Sequence, residues 1–186
     1  MRARIQAASI VMCMVSAAPA ALAETATPTS RIESHVSHLL AGSGEWRAPN
    51  PDFVEGSSEP EMFGMNYRWG PYEQYVAAEI VSIYPSGKTE PGWSMYITHN
   101  PVTNQTIIQQ TGASGIYFRG EMEDLGNGLH TETGLIYFPN GTVKSVRDEV
   151  EMIDDSTRIS RVFERGENGG WVQVREWTWK LVEAAN

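Results

Sequence analysis

Cysteine is nearly absent: one residue in 186, Cys13, within an apolar N-terminal run. Beyond that run the chain has no thiol, which excludes a disulfide scaffold, a cysteine-ligated zinc site and a cysteine nucleophile. Basic residues are also scarce, 14 Lys and Arg against 23 Asp and Glu, for a formal charge of −9. No basic cluster relieves this balance, so nucleic acid and anionic lipid surfaces are disfavoured as partners. No G-x-S-x-G element occurs, and the four histidines, His35, His38, His99 and His130, stand in no order that builds a Ser-His-Asp triad. His35 and His38 have the i, i+3 spacing of a shared metal site, but only Glu33 is near to complete one, and no metal is expected.

What is present begins with a leader. Arg2 and Arg4 precede an apolar run from Ile5 to Ala21, and Ala21-Leu22-Ala23 has the small-x-small form of a signal peptidase site. The run is short for a membrane span and contains Pro19. Residues 1–23 are therefore expected to be a cleaved signal peptide, placing the protein in the periplasm or outside the cell. Loss of Arg2 and Arg4 makes the remaining chain still more acidic. Residues 24–30 read as a flexible leader and residues 31–186 as a single domain. Ser30 and Glu33 form an S-x-x-E capping box, and Ile32, Val36, Leu39 and Leu40 share one helical face before Gly42-Ser43-Gly44. One short N-terminal helix is expected there, followed by a Pro- and Ser-rich loop over 47–61.

From Met62 onward the pattern is β. Runs such as Phe63, Met65, Tyr67, Trp69 have period two, and turn signals follow at Gly70-Pro71, Pro85-Ser86-Gly87, Asn100-Pro101, Gly126-Asn127-Gly128, Pro139-Asn140-Gly141 and Gly166 to Gly170. The final run alternates Trp171, Gln173, Arg175, Trp177, Trp179 and Leu181 on one face with Val172, Val174, Glu176, Thr178, Lys180 and Val182 on the other. No helical period intervenes. The expected fold is mainly β: an antiparallel up-and-down barrel of about nine to ten strands, closed because closure removes two exposed edges.

Leu40 followed by Gly44-Glu45-Trp46, the hairpin Asn100-Pro101-Val102-Thr103-Asn104-Gln105, the run Pro139-Asn140-Gly141-Thr142 leading to Arg147-Asp148, and Gly170-Trp171 leading to Trp179-Lys180 resemble the calycins. This superfamily holds lipocalins and fatty-acid-binding proteins, and the bacterial lipocalin-like proteins with a short N-terminal helix are the more similar group. The likeness spans roughly residues 38–182. It implies a G-x-W first strand, with Trp46 lying near Lys180 at barrel closure and both in structural roles. For Arg175 it implies two roles. One is a ligand-carboxylate anchor, as in the R-x-Y of fatty-acid-binding proteins, although Trp177 stands where that pattern has tyrosine. The other is a basic residue packed over the G-x-W tryptophan. An outward salt bridge is the third reading. Haem, carried by some similar barrels, would need a histidine late in the chain, and none follows His130.

The function expected from these residues is an exported small-molecule binding protein. It would hold a largely apolar ligand, with an acidic head as an option, inside the barrel and without a cofactor. Arg175, Trp177, Tyr96, Tyr117, Tyr137, Arg147 and Arg119 are the candidate ligand-binding residues. Tyrosines offer a ring and a hydroxyl to an amphiphile, and inward guanidinium groups would pair with a carboxylate. The ordinary alternative for Arg119, Arg147 and Arg161 is cross-strand pairing with Glu121, Glu149 or Glu164 on the outside. Two other functions fit the same fold. One is a barrel enzyme of cyclase or decarboxylase type, using Arg and Tyr with Glu149 or Glu132. The other is an envelope interaction protein whose barrel is filled by its own side chains.

Overall fold

The computed structural model describes residue 32 and residues 36–183. The expected signal peptide, the leader 24–30 and, of the expected helix, Arg31, Glu33, Ser34 and His35 lie outside the described residues, while residues 37–40 form turns. Ile32 and Val36 are helical and fully buried, and Leu39 and Leu40 both donate to the Val36 carbonyl.

Ten strands follow: β1 (Glu45–Pro49), β2 (Met62–Trp69), β3 (Tyr75–Ile83), β4 (Thr89–Asn100), β5 (Gln105–Gly112), β6 (Tyr117–Gly126), β7 (Leu129–Tyr137), β8 (Val143–Asp154), β9 (Thr157–Arg165) and β10 (Trp171–Leu181). Each pairs antiparallel with its sequence neighbours, and β1 pairs with β10, so the meander closes on itself. The expected up-and-down barrel is the observed fold. The turns form for the reasons their residues suggest: at Pro139-Asn140-Gly141, Asn140 Oδ1 accepts from Thr142 N at 3.0 Å and Gly141 adopts φ 84°.

Alternation sorts side chains to the two sides of the wall. Met65, Tyr67, Met95, Phe118, Glu132, Asp148, Arg158, Ser160, Trp177 and Trp179 face the interior cavity. One end of the barrel is shut: Trp46 is fully buried and donates from Nε1 to the Leu39 carbonyl at 3.0 Å, with Ile32 and Val36 in the same core. The other end carries the loop 50–61 and the turns that leave β3, β5, β7 and β9. Closure falls where expected, with Trp46 opposite Leu181 and Arg47 opposite Lys180.

β10 departs from the single face read in its sequence. A bulge between Gln173 and Arg175 leaves Gln173 opposite outward Phe163, but Arg175 opposite Val162 of the cavity wall. An extra residue in one strand reverses the alternation beyond it. Trp171 is therefore separated from Trp177 and Trp179 and sits outside, under the Arg165 guanidinium at 5.5 Å.

Candidate functional site

The barrel interior holds a partly open cavity of about 400 Å³. Phe63, Ile80, Trp93, Met95, Phe118, Ile136, Val146, Val162 and Trp177 supply its apolar wall. Towards the closed end the lining turns polar with Glu132, Asp148, Ser160, Arg158 and Tyr67. Glu132 and Asp148 are direct cross-strand partners on β7 and β8. Ser160 Oγ lies 2.9 and 3.0 Å from the two Asp148 oxygens.

Arg158, near the start of β9, is 3% exposed yet makes no ion pair among the described residues. Its guanidinium lies 4.8 Å from the Trp46 ring, 5.2 Å from Tyr67 and 5.3 Å from Trp179. It also donates to Tyr67 Oη at 3.4 Å and Met65 Sδ at 3.1 Å. Three aromatic faces thus supply the negative potential that water or a carboxylate would otherwise give. This is the position over the Trp46 ring that the resemblance implies for Arg175 and that Arg158 occupies instead.

Burial dominates the titration of this cluster. It pushes the Glu132 carboxyl up to about 7, against the opposing pull of Arg158. Burial and the charge of Glu132 raise Asp148 well above the usual carboxylate range, while Ser160 and Arg158 act the other way. Burial, reinforced by the field of Arg158, lowers His38 and His130 to about 4, so both are neutral near pH 7. Their rings lie 5.4 Å apart under the polar end.

Of the candidate residues, Trp177 reaches the cavity, packed edge-on to Phe63 at 6.5 Å. Arg175 lies over the Trp177 ring at 5.6 Å and pairs with Asp52 of the loop 50–61. Arg147 borders the cavity, but its guanidinium pairs with Glu149 at 2.8 Å. Tyr96 is about half exposed and meets Tyr75 at 6.0 Å. Tyr117 meets Tyr137 at 6.0 Å, and Arg119 with Tyr137 lines an open groove on β5 to β7. Arg161 bridges Glu151 and Glu176. Lys180 Nζ donates to Thr157 Oγ1 at 2.6 Å, and Trp46 occupies the closed floor. The inward polar residues Arg158, Asp148 and Ser160 were missed as site candidates. Asp148 carried a signal, an acid in register with apolar i±2 neighbours in Val146-x-Asp148-x-Val150. Arg158 is flanked at i±2 by Ser156 and Ser160, and Ser160 has only Val162, so neither stood out.

No group of three or more His, Cys, Asp and Glu side chains able to hold a metal is found among the described residues. Nor is any helix among them long and apolar enough to cross a membrane. No protein-family model matches the chain, and no curated protein matches it.

Proposed function

We propose that this protein is an exported carrier or receptor of the calycin type that holds a small, largely apolar molecule inside its barrel. The observation that carries the reading is the barrel cavity of about 400 Å³, open to solvent on one side and within the size range of small-molecule sites, with apolar walls and a few convergent polar groups. A barrel filled by its own side chains would leave no such space, so the hollow interior favours carriage over a purely structural envelope role. The leader supports export, with cleavage after Ala23. An acidic head group was expected from Arg175, Arg147 and Arg119; Arg175 pairs with Asp52, Arg147 with Glu149, and Arg119 lines the groove on β5 to β7, so none of the three favours it.

A second reading has an observation of its own: Glu132, Tyr67 and Arg158 share the cavity, as an enclosed enzyme site would require. It needs turnover to distinguish it from carriage.

Native mass spectrometry of the protein taken from the envelope of its own host tests the main reading. The expected result is a polypeptide beginning at Glu24 that retains a small molecule, released on unfolding. A uniformly ligand-free mass, with no thermal shift from a panel of apolar compounds, overturns carriage. A mass that includes residues 1–23 overturns the processing.

A further inference from the structure

Taking the cavity as a ligand site, its polar end defines the chemistry of the ligand. Glu132 is 6% exposed, lines the cavity and has no hydrogen-bond partner among the described residues. Its Oε1 stands 3.7 Å from His130 Nε2, beyond hydrogen-bond range, and neither His130 nitrogen is otherwise engaged. Asp148 faces it across the β7–β8 ladder, and directly opposed residues of antiparallel strands have Cβ atoms only about 4.5–5.5 Å apart. Asp148 has two donors, the Ser160 hydroxyl, which has one proton to give and lies within reach of both oxygens, and the Glu149 backbone N–H. The neighbouring cation makes no ion pair with either acid: Arg158 donates to Tyr67 and Met65 and lies against three aromatic rings, with its Nε left unpartnered among the described residues.

The interior therefore holds two carboxyl groups and one guanidinium. One carboxylate balances Arg158 through space. The second must hold a proton or meet another cation, since an uncompensated charge in such a site is strongly disfavoured. We propose that the cavity binds an apolar, ring-bearing amine, whose ammonium group sits between Glu132 and Asp148.

An ammonium supplies the donor that Glu132 lacks and a further one for Asp148, and it keeps the interior charge in balance. A carboxylate head would add a third acid beside the pair. A bare hydrocarbon would leave Glu132 unpartnered. Trp93, Phe118 and Trp177 offer faces to the ring, and the net charge of −9 attracts cations and repels fatty acids. When the alkylammonium enters, the proton held by the pair leaves to solvent. The other titratable groups bearing on the pair are Arg158 on β9, Tyr67 on β2 and His130 on β7, whose ring lies 5.4 Å from that of His38. Asp124 on β6 acts on the two histidines. The raised carboxyls and the neutral histidines are what this exchange requires.

Three probes of matched shape test the assignment by titration calorimetry on the full mature chain: 4-phenylbutylamine, pentylbenzene and 5-phenylpentanoate. At pH 6 the amine is expected to bind at least about tenfold more tightly than either competitor, the range of a charge-assisted hydrogen bond. Its apparent enthalpy should change with the ionisation enthalpy of the buffer, reporting proton release, and that of pentylbenzene should not. Glu132→Gln and Asp148→Asn should each abolish the amine preference while pentylbenzene still binds, which also shows that the variants are folded. Binding of pentylbenzene or the acid without preference for the amine overturns this proposal and leaves the carrier reading standing. So does an amine preference that survives both substitutions. Failure of all three probes counts against both.

Discussion

Glu132 and the two histidines beside it carry opposite pH signatures. The folded-state value of Glu132 is raised by burial from 4.5 to about 7. Between those values the folded chain keeps a proton that the unfolded chain has lost, so this group makes stability fall as pH rises through the window. A shift of that size corresponds to something on the order of 3 kcal/mol. His38 and His130 are lowered by burial from 6.5 to about 4. The unfolded chain takes up their protons first, and their contribution is lost as pH falls from about 6.5 towards 4. The two effects oppose each other across their overlap, so the parent protein should show a blunted profile there. Glu132→Gln separates them. Its stability gain over the parent, read from urea midpoints, should be small near pH 4.5 and grow to on the order of 3 kcal/mol by pH 8. A gain that stays constant over that range would mean that Glu132 titrates normally. None of this was legible in the sequence: Glu132 was a named alternative, but alternation separates two faces of a strand without saying which is inside.

At the scale of elements the turn chemistry was readable, because Asn140-Gly141 and the glycines of 166–170 can do little else, while the bulge in β10 was not. Trp171 to Leu181 alternates without a break in sequence, yet the structure places one extra residue between Gln173 and Arg175. Only the partner strand, by requiring Val162 and Ser160 to face inward, fixes where the alternation must reverse. A second local device lies between β6 and β7, where Gly120 and Gly134 are cross-strand partners. A Cβ on Gly134 would meet the Arg119 carbonyl oxygen at 2.1 Å and Gly120 Cα at 2.5 Å. On Gly120 it would meet the Phe118 ring and the Thr133 carbonyl. The bare backbone here lets the strands approach closely and the Phe118 ring lie over the gap. Gly134→Ala should therefore cost about 1–3 kcal/mol, the range of overpacking, even though alanine relieves the chain-entropy cost of glycine in a strand. A denaturation midpoint equal to or above that of the parent would refute the steric reading.

For the molecule as a whole, closure depends more on the core than on the ladder. Register pairing between β1 and β10 is confined to Trp46 with Leu181 and Arg47 with Lys180, and the latter sets two cations opposite each other. Glu45 takes up Arg47, and Thr157 takes up Lys180. Two further bonds, Val182 N to the Glu45 carbonyl at 2.8 Å and Ser43 Oγ to the Val182 carbonyl at 2.9 Å, extend the seam. By contrast the β3–β4 ladder runs from Tyr75 to Ile83. What holds β1 in place is Trp46, fully buried beneath Arg158 and tied to Leu39. The position of the seam was legible from the G-x-W and the terminal strand. Its dependence on Arg158 was not, since residues 112 positions apart meet only once the barrel has closed. Removing the ring should then do two things at once. Trp46→Ala should destabilise the fold by about 3–5 kcal/mol, as for other buried tryptophans. Hydrogen exchange should also show the Val182 amide losing protection well ahead of the β3–β4 amides, because the seam opens locally once its anchor is gone. If protection instead falls uniformly along all ten strands, the seam opens only with global unfolding, and the ladder rather than the tryptophan keeps the barrel closed.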